Sequence, residues 1–459
     1  MEALIQIAYL AASICFIIAI KLLSSPRTAR TGNLVGALGM LTGLIATLFH
    51  QSILRYEWII TGLGIGTALG AWMALTVRMT AMPQMVALLN GFGGAASALV
   101  AAAEAQRAVI SETLSLLSPF SLTTISLSVL IGSITLTGSL IAFAKLQELI
   151  SGRPLLLPAH HYQSLLLLVG ALILTLIFLQ QTDIALLHGL MVVSLVLGIW
   201  ITLPVGGADM PVIVSFLNSL SGLAAAATGF VLENYLLIIS GTLVGASGLI
   251  LTQIMSKAMN RSLWNVLFAA VGKSTAPTAS AEKTVRSTTA EDTALMLGYA
   301  KQVVIVPGYG MAVAQAQHAV KKLMDALVQR DIEVRFAIHP VAGRMPGHMN
   351  VLLAEADVPY DSLYEMERIN NDFPQVDIAL VIGANDVVNP AARKDPSSPL
   401  YGMPILDVDK AKTVIVLKRS MNPGFAGVEN ELFYQPNTYM LFGDARQSLE
   451  KIVESLREI

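Results

Sequence analysis

Residues 303–314 decide the architecture of the C-terminal part of the chain, and they read Val303-Val304-Ile305-Val306-Pro307-Gly308-Tyr309-Gly310-Met311-Ala312-Val313-Ala314. Four β-branched residues in succession predict a buried strand, and a glycine-rich turn then leads into a run with helical periodicity. Strands that alternate with helices indicate a parallel sheet with helices on both faces. The predicted strands are Gln302–Val306, Glu333–Ile338, Ile378–Ile382 and Thr413–Leu417, and the predicted helices are Ala312–Arg330 and Ala445–Leu456.

The composition of the remaining chain is that of a membrane protein. Of 459 residues, 54% are hydrophobic and 13% are charged, whereas soluble domains carry about 25% charged residues. Only ten of the 29 Lys and Arg residues and eight of the 31 Asp and Glu residues fall in residues 1–261. The chain therefore divides into two parts that suit two different solvents.

The charge and the cysteine content exclude two classes of partner. The net charge is −2, and a protein without a basic field is a poor nucleic-acid binder, so nucleic acid is not expected as a partner. Cys15 is the single cysteine and lies in an apolar segment. The sequence therefore offers neither a disulfide framework nor a thiolate cluster, and no metal site is expected.

Nine apolar runs in the first 261 residues approach the length that crosses a bilayer as a helix, about 20 residues. The fourth run is weak because it carries Asn90 and many small residues, and the sixth and seventh are separated only by residues 180–183. We therefore expect about nine transmembrane helices, within a range of eight to ten. The runs lie near residues 3–23, 33–50, 57–77, 83–103, 121–144, 163–179, 184–203, 210–230 and 233–255.

The distribution of positive charge predicts how these helices are oriented. Lys and Arg gather in cytoplasmic loops, and with nine spans only Arg55 and Arg107 fall on the opposite side from the other eight. This division predicts a cytoplasmic C-terminal domain and an outward-facing N-terminus. The eight are Lys21, Arg27, Arg30, Arg78, Lys145, Arg153, Lys257 and Arg261.

A polar segment separates the two parts of the chain. Residues 273–289 hold eight Ser and Thr residues and few large apolar ones, a composition typical of linkers. We therefore predict an α-helical membrane bundle over residues 1–261, a linker over 262–290, and a soluble α/β Rossmann-like domain with a parallel sheet over 291–459.

The first strand and its turn are suited to binding a dinucleotide. Glycine permits a tight turn and a close approach of the backbone to a pyrophosphate, and the N-terminus of the following helix favours negative charge. In domains of this type that bind NAD, an acidic residue after the second strand binds the ribose 2′-hydroxyl. Here that strand ends at Ile338-His339-Pro340 without a carboxylate, which favours NADP over NAD. An ordinary strand-to-helix turn is the alternative.

A phosphate site also needs cations, and Lys418-Arg419-Ser420 directly follows the strand Thr413–Leu417. Arginine binds phosphate through its planar fork, lysine adds a point charge, and serine adds a hydroxyl donor. A solvated, charged strand end is the alternative. Two further loops follow strands, and in them Arg344 is expected to pair with phosphate and Asn385 and Asp386 with ribose or carboxamide, unless these loops are only turns.

Several strings together resemble the beta subunit of the proton-translocating NAD(P) transhydrogenases, from the first span to the last helix. The resemblance implies that NADP(H) binds here, that an alpha subunit carries NAD(H), and that hydride passes between the two cofactors while protons move inward. It also implies a dimer of protomers in a bacterial cytoplasmic membrane, in contact with lipid. The strings are residues 308–317, 339–350, 383–386 and 418–422 and, in the membrane part, 206–211 and 257–261.

The resemblance further assigns roles in the site. The cofactor is expected in a reversed orientation across the sheet, with Lys418, Arg419 and Ser420 around its 2′-phosphate and Asp386 near the nicotinamide. The predicted cofactor contacts are, in full, Gly308, Tyr309, Gly310, Met311, Ala312, Val313, Val341, Ala342, Gly343, Arg344, Met345, Pro346, Gly347, Gly383, Ala384, Asn385, Asp386, Val387, Lys418, Arg419, Ser420, Met421, Asn422, Gly424, Phe425, Gly443, Asp444 and Ala445.

Three residues of the membrane part are candidates for proton transfer. Asp209 lies between spans seven and eight, and ionisable groups near a membrane are costly and usually functional, although a loop residue can also be fully hydrated. Asn90 and Asn218 lie within spans, where an amide either holds a water chain or bonds a neighbouring helix. Some family members have histidine in place of Asn90, and an amide cannot titrate near neutral pH. A proton-carrying role at this position is therefore in doubt.

A second class of function is an ion channel or carrier whose nucleotide domain only senses NADP(H). Regulatory domains of that kind usually bind NAD through an acidic residue after the second strand. His339 occupies that position here, which argues against this alternative.

Overall fold

The computed structural model describes residues 2–49, 56–78, 81–151, 155, 159–260, 262–263, 266, 284–345, 347–396, 398, 400–424 and 426–458. Contacts within the chain form two compact units. One is drawn from residues 1–151, 155–204 and 213–251, and the other includes residues 205–212 and 252–459. Most of the predicted linker, as well as Arg153, Arg261, Pro346 and Phe425, lies outside the described residues.

The described part of the chain contains nine helices that are long and apolar enough to cross a membrane, which confirms the predicted number. The fourth helix is longer than the predicted run 83–103, because the alanine-rich sequence remains helical as far as Ile110. The helices are α1 (Glu2–Leu23), α2 (Pro26–Leu48), α3 (Tyr56–Thr76), α4 (Met82–Ile110), α5 (Pro119–Leu146), α6 (His160–Gln181), α7 (Ile184–Thr202), α8 (Met210–Val231) and α9 (Tyr235–Ala258).

Glycine allows two pairs of these helices to pack closely. A Cβ atom on Gly94 of α4 would lie 2.7 Å from the carbonyl oxygen of Gly132 in α5. A Cβ atom on Gly222 of α8 would lie 2.4 Å from the backbone nitrogen of Gly245 in α9. Small residues at such positions let helix backbones approach where apolar burial supplies no driving force.

The C-terminal part contains one six-stranded sheet, with every neighbouring pair of strands parallel. The order β3-β2-β1-β4-β5-β6 reverses direction between β1 and β4, which is the doubly wound arrangement. The four predicted strands are confirmed to within one residue, and the sequence analysis missed β3 and β6. The strands are β1 (Gln302–Pro307), β2 (Glu333–Ile338), β3 (Leu363–Glu365), β4 (Ile378–Ile382), β5 (Thr413–Lys418) and β6 (Thr438–Phe442).

Helices and apolar segments cover both faces of this sheet. Alternate residues of β1, β4 and β5 join a core that includes Phe373, Leu406 and Phe433. The amphipathic C-terminal helix contacts β5 and three other helices. The helices are α10 (Ala290–Gly298), α11 (Tyr309–Val313), α12 (Gln317–Val328), α13 (His348–Glu355), α14 (Met366–Ile369), α15 (Ala391–Lys394) and α16 (Ala445–Glu458).

The predicted helix Ala312–Arg330 is wrong, because the structure divides it into α11 and α12. Gln315 adopts a left-handed conformation with φ 49°. The amide groups of Gln315 and Ala316 donate to the carbonyl groups of Ala312 and Met311, the pair of bonds that ends a helix in a Schellman motif. The helix after the glycine-rich turn therefore has only five residues, and a large helix dipole is not available at that turn.

We predict that Gly383→Ala destabilises the protein more than Gly347→Ala does. Both glycines have φ 67°, but a Cβ atom on Gly383 would lie 2.4 Å from the Cα atom of Gly310, whereas one on Gly347 meets no described atom within 4 Å. Strain alone costs about 1 kcal/mol, and backbone overlap raises the loss to roughly 3 kcal/mol. Denaturant unfolding of the full chain in detergent measures both losses, and equal losses would contradict the proposed overlap.

Candidate functional site

The loops that follow the parallel strands meet at one edge of the sheet, where open α/β sheets bind their ligands. The direction of winding reverses between β1 and β4, so a crevice is expected between the loops that follow these two strands. The predicted contacts come from the loops after β1, β2, β4, β5 and β6. The loops lie at residues 308–313, 339–347, 383–389, 418–424 and 443–445.

Three glycines bring the loops after β1 and β4 into backbone contact. A Cβ atom on Gly308 would lie 2.4 Å from the Cα atom of Ala384, and one on Gly310 would lie 2.7 Å from the Cα atom of Gly383. The amide groups of Gly308 and Gly310 donate to the carbonyl groups of Ile382 and Gly383, at 2.9 Å in each case. In this structure these glycines therefore serve close approach, and their amides are bound within the protein.

Tyr309, Arg344 and His348 form a cluster of side chains next to this contact. The guanidinium carbon of Arg344 lies 4.4 Å from the centre of the Tyr309 ring, a cation–π arrangement. The ring of His348 lies 6.4 Å from that of Tyr309, and its Nδ1 accepts a hydrogen bond of 3.1 Å from the Arg344 amide. Within the same loop Ala342 is buried, and Val341 packs against the core.

His339, which stands where NAD-binding domains carry an acid, is almost fully buried. Its Nε2 donates to the carbonyl of Pro404 at 2.8 Å, and its Nδ1 accepts from the Val341 amide at 3.2 Å. Burial lowers the pKa of His339 to about 4, although the bond to Pro404 and the charge of Glu367 act in the opposite direction. This imidazole is neutral and occupied with backbone groups, so the carboxylate expected of an NAD site is absent after β2.

Asp386 and Asn385 are tied to a segment that follows β5. The Oδ2 atom of Asp386 accepts a hydrogen bond of 3.0 Å from the Ala426 amide. A Cβ atom on Gly424 would lie 2.4 Å from Oδ1 of Asp386, so a side chain there would displace the carboxylate. Asn430, only 1% exposed, donates to both the carbonyl and the Oδ1 atom of Asn385, at 3.0 and 2.9 Å.

Lys418 is a partly buried cation at this edge. Its ammonium group donates to the carbonyl of Asn422 and lies 5.6 Å from the centre of the Phe433 ring. Burial lowers the pKa of Lys418, and the charge of Asp386 partly offsets this effect. Arg419 and Ser420 carry exposed side chains, so they are accessible to an anion.

The described contacts of the loop after β6 are structural. Gly443 has φ 152°, and its amide donates to the carbonyl of Lys418 at 3.1 Å. The Oδ1 atom of Asp444 accepts from the amides of Arg446 and Gln447 at 3.0 and 3.2 Å. Asp444 therefore caps the N-terminus of α16, a structural role that satisfies amides which the helix leaves free.

The residues at this edge fit a phosphorylated dinucleotide. Among the described residues of the C-terminal part, two buried side-chain nitrogens have no hydrogen-bond partner, Nδ2 of Asn385 and Nε2 of His348. Unsatisfied buried donors are rare in folded proteins and indicate a missing ligand or water. They lie in the loops that also supply Arg344 and Asp386, with Lys418 nearby, so cations for phosphate and polar groups for sugar or amide share one edge.

In the membrane part, Asn90 of α4 is buried, and its Nδ2 donates to the carbonyl of Val214 in α8 at 3.4 Å. A Cβ atom on Gly93 would lie 2.6 Å from Oγ of Ser221. Val214, Asn218 and Ser221 are spaced four and three residues apart, so they share one face of α8. Asn90 and Asn218 therefore lie along the same helix interface.

Asp209 ends a short 3₁₀ turn, Gly207–Asp209, that leads directly into α8. Its side chain is 4% exposed. The alternative of a fully hydrated loop residue is therefore wrong for this structure. A carboxylate buried at the start of a membrane helix is costly and marks a functional candidate.

Sequence reasoning missed two residues of this site. Asn430 anchors Asn385, but no spacing or strand end singles it out. His348 lay within a string that the resemblance had identified, yet it was not selected because histidine in a loop carries no signal of its own. The contacts of both become visible only when separate loops are brought together.

The nine helices and the doubly wound sheet define an integral membrane protein with a crevice of the dinucleotide-binding type at one end of its strands. The family described as NAD(P) transhydrogenase beta subunit matches residues 5–455, and the chain belongs to this family. Two relatives from Rhodospirillum rubrum, each named NAD(P) transhydrogenase subunit beta, are 49% identical over 461 residues. The match covers 99% of this chain and 99% of each relative.

We predict that the C-terminal part loses stability as the pH falls from 7 to 5. Burial lowers the pKa values of His339 and His348 to about 4, while in the unfolded chain they titrate near 6.5. Between these values only the unfolded state binds the proton, so each histidine costs about 2 kcal/mol by pH 5.

The predicted loss of stability is measured by hydrogen exchange of the β2 and β4 amides in the full chain. In His339→Gln the pH dependence should weaken by about half, since one of two titrating groups is removed. An unchanged slope would show that the folded state accommodates the charged His339.

Proposed function

We propose that this chain binds NADP(H) at the crevice and serves as the NADP(H)-binding subunit of a proton-translocating transhydrogenase. In this proposal an alpha subunit carries NAD(H), and hydride transfer between NADH and NADP+ is coupled to inward proton movement. The observation that carries the proposal is the partly buried Lys418 after β5, combined with the neutral His339 in place of an acid after β2.

The charges of the site support a 2′-phosphate as ligand. Lys418, Arg419 and Ser420 would surround this group, with a compact cation, a planar fork and a hydroxyl donor. Partial burial strengthens the attraction between Lys418 and phosphate, because water screens it less. No carboxylate after β2 opposes it.

The remaining contacts would hold the other parts of the cofactor. The loop from Gly308 to Val313 and the loop from Val341 to Gly347 would line the pyrophosphate, where Arg344 supplies charge. Asp386 and Asn385 would face the nicotinamide end. Their attachment to Ala426 and Asn430 supports a fixed position for both.

The bound nicotinamide supplies the hydride chemistry, so the protein needs neither a nucleophile nor a metal. The protein's contribution is orientation and the exclusion of water. The segment that holds Gly424 and Ala426 would cover the cofactor from the side of β5. Its hydrogen bonds to Asp386 and Asn385 would set how tightly it closes.

The membrane half would carry the proton, and the positive charge of its predicted cytoplasmic loops supports a cytoplasmic C-terminal domain. Asp209 is the titratable candidate, and Asn90 and Asn218 would hold water between α4 and α8. Proton passage would then bias the NADP(H) site between tight and open states, a coupling between two sites. The working assembly would be a dimer of protomers in the lipid of a bacterial cytoplasmic membrane.

The decisive experiment is to co-express the chain with its alpha subunit and to follow the reduction of an NAD analogue by NADPH in membrane vesicles. Hydride transfer that accelerates when an uncoupler is added supports the proposal. A folded complex that binds NADPH without transferring hydride would instead support a channel or carrier that senses NADP(H).

We expect Lys418→Ala to weaken the binding of NADPH by about 10- to 100-fold, the value of a charge-assisted contact. Binding of NADH, which lacks the 2′-phosphate, should change little. Lys412→Ala is the matched control, because Lys412 precedes the same strand and pairs with Asp377 at the opposite edge of the sheet. Titration calorimetry measures these affinities, and equal losses for NADPH and NADH would remove Lys418 from the phosphate site.

We also expect Asp209→Asn to impair proton pumping while NADPH remains bound. An amide of the same shape cannot exchange a proton, so a pH-sensitive dye in vesicles should record a loss of at least about tenfold. Asp183→Asn is the control, because Asp183 caps α7 through Oδ1 and asparagine caps equally well. Unimpaired pumping in Asp209→Asn would exclude Asp209 from the proton path.

A further inference from the structure

The functional proposal assigns no contact with the cofactor to His348, although it is one of the most deeply buried polar residues of the C-terminal part, with 1% exposure. It begins α13, directly after the loop that carries Arg344. Gly343 makes room for it, since a Cβ atom there would lie 2.6 Å from the Cβ atom of His348 and 2.7 Å from its Nδ1. The φ of Gly343 is 137°, a conformation that other residues rarely adopt.

The hydrogen bonds of His348 define its tautomer. The amide of Arg344 donates to Nδ1 at 3.1 Å, so Nδ1 carries no proton, and the neutral ring carries its proton on Nε2. Burial and the nearby Arg344 charge lower the pKa of His348 to about 4. The ring is therefore a neutral acceptor for Arg344 throughout the physiological pH range.

A purely structural role accounts poorly for histidine at this position. Its Nε2–H has no hydrogen-bond partner among the described residues, and an unsatisfied buried donor is destabilising. An apolar side chain of similar size would avoid this cost. Such a side chain would, however, have no acceptor for the Arg344 amide.

We propose that His348 is a positioning residue for the cofactor, acting through Arg344. By accepting the Arg344 amide it fixes the turn around Gly343 and Arg344, and this turn sets the guanidinium group 4.4 Å from the centre of the Tyr309 ring. A guanidinium held in one orientation loses less freedom when it pairs with phosphate. The inference rests on the proposed NADP(H) site.

Three variants of His348 separate the acceptor from the bulk of the ring. Asparagine places an oxygen near the position of Nδ1, glutamine places its amide near Nε2 instead, and leucine retains volume without any acceptor. We expect His348→Asn to bind NADPH within about threefold of wild type, and His348→Leu and His348→Gln to lose about tenfold, because Arg344 must then be ordered when the cofactor binds. His318→Asn, on the exposed side of α12, is the control.

A second measurement tests whether His348 acts through Arg344. In an Arg344→Ala background, His348→Leu should cost less than twofold in NADPH affinity, because the group that it positions is already absent. The thermal unfolding midpoint of His348→Leu should stay close to that of wild type, because the variant removes one unpaired donor and leaves another. All affinities are measured on the full chain with its alpha subunit.

The outcomes are distinguishable. The proposal is supported if His348→Asn retains NADPH affinity and if the affinity losses of His348→Leu and Arg344→Ala are not additive. Losses that follow the unfolding midpoint in all three variants, or that add to the loss of Arg344→Ala, would overturn it and leave His348 as a core side chain. If the wild-type protein itself does not bind NADPH, the proposed function fails before the role of His348 is tested.

Discussion

The contact between the backbones of Gly308, Gly310 and Gly383 is the constraint on which the rest of the site depends. Strands β1 and β4 are neighbours in the sheet although two strands separate them in sequence. Their loops consequently leave the sheet side by side and must touch. No Cβ atom intervenes at the glycines, so the backbones come within hydrogen-bond distance. The amides of Gly308 and Gly310 donate to the carbonyl groups of Ile382 and Gly383. Tyr309 and Asp386 are thereby carried on loops of fixed separation, one from each side of the crevice.

The charge of the site is controlled by keeping its histidines neutral. His339 and His348 are buried, and each accepts a backbone amide through Nδ1. A proton on His348 would place a second positive charge next to Arg344 and would break the bond that orients it. The positive charge of the crevice therefore resides on arginine and lysine, and the neutral histidines add none.

The sequence was sufficient to predict the elements whose pattern is local. Long apolar runs predict the nine helices, and β-branched runs predict four of the six strands, β1, β2, β4 and β5. Strand β3 has only three residues, and β6 mixes aromatic, apolar and polar side chains, so neither has a pattern of its own. The sequence did not predict the end of α11, because glutamine rarely occupies the left-handed position that closes a Schellman motif. The sequence did not predict Asn430 either, because its hydrogen bonds to Asn385 form only where the segment after β5 meets the loop after β4.

In the membrane part, a hydrogen bond joins the fourth and eighth helices, because Nδ2 of Asn90 donates to the carbonyl of Val214. An amide cannot carry charge as imidazole does, but its bond to the Val214 carbonyl registers the position of α8 against α4. The amide of Asn90 therefore bonds a neighbouring helix, one of the two alternatives that the sequence leaves open for a buried amide.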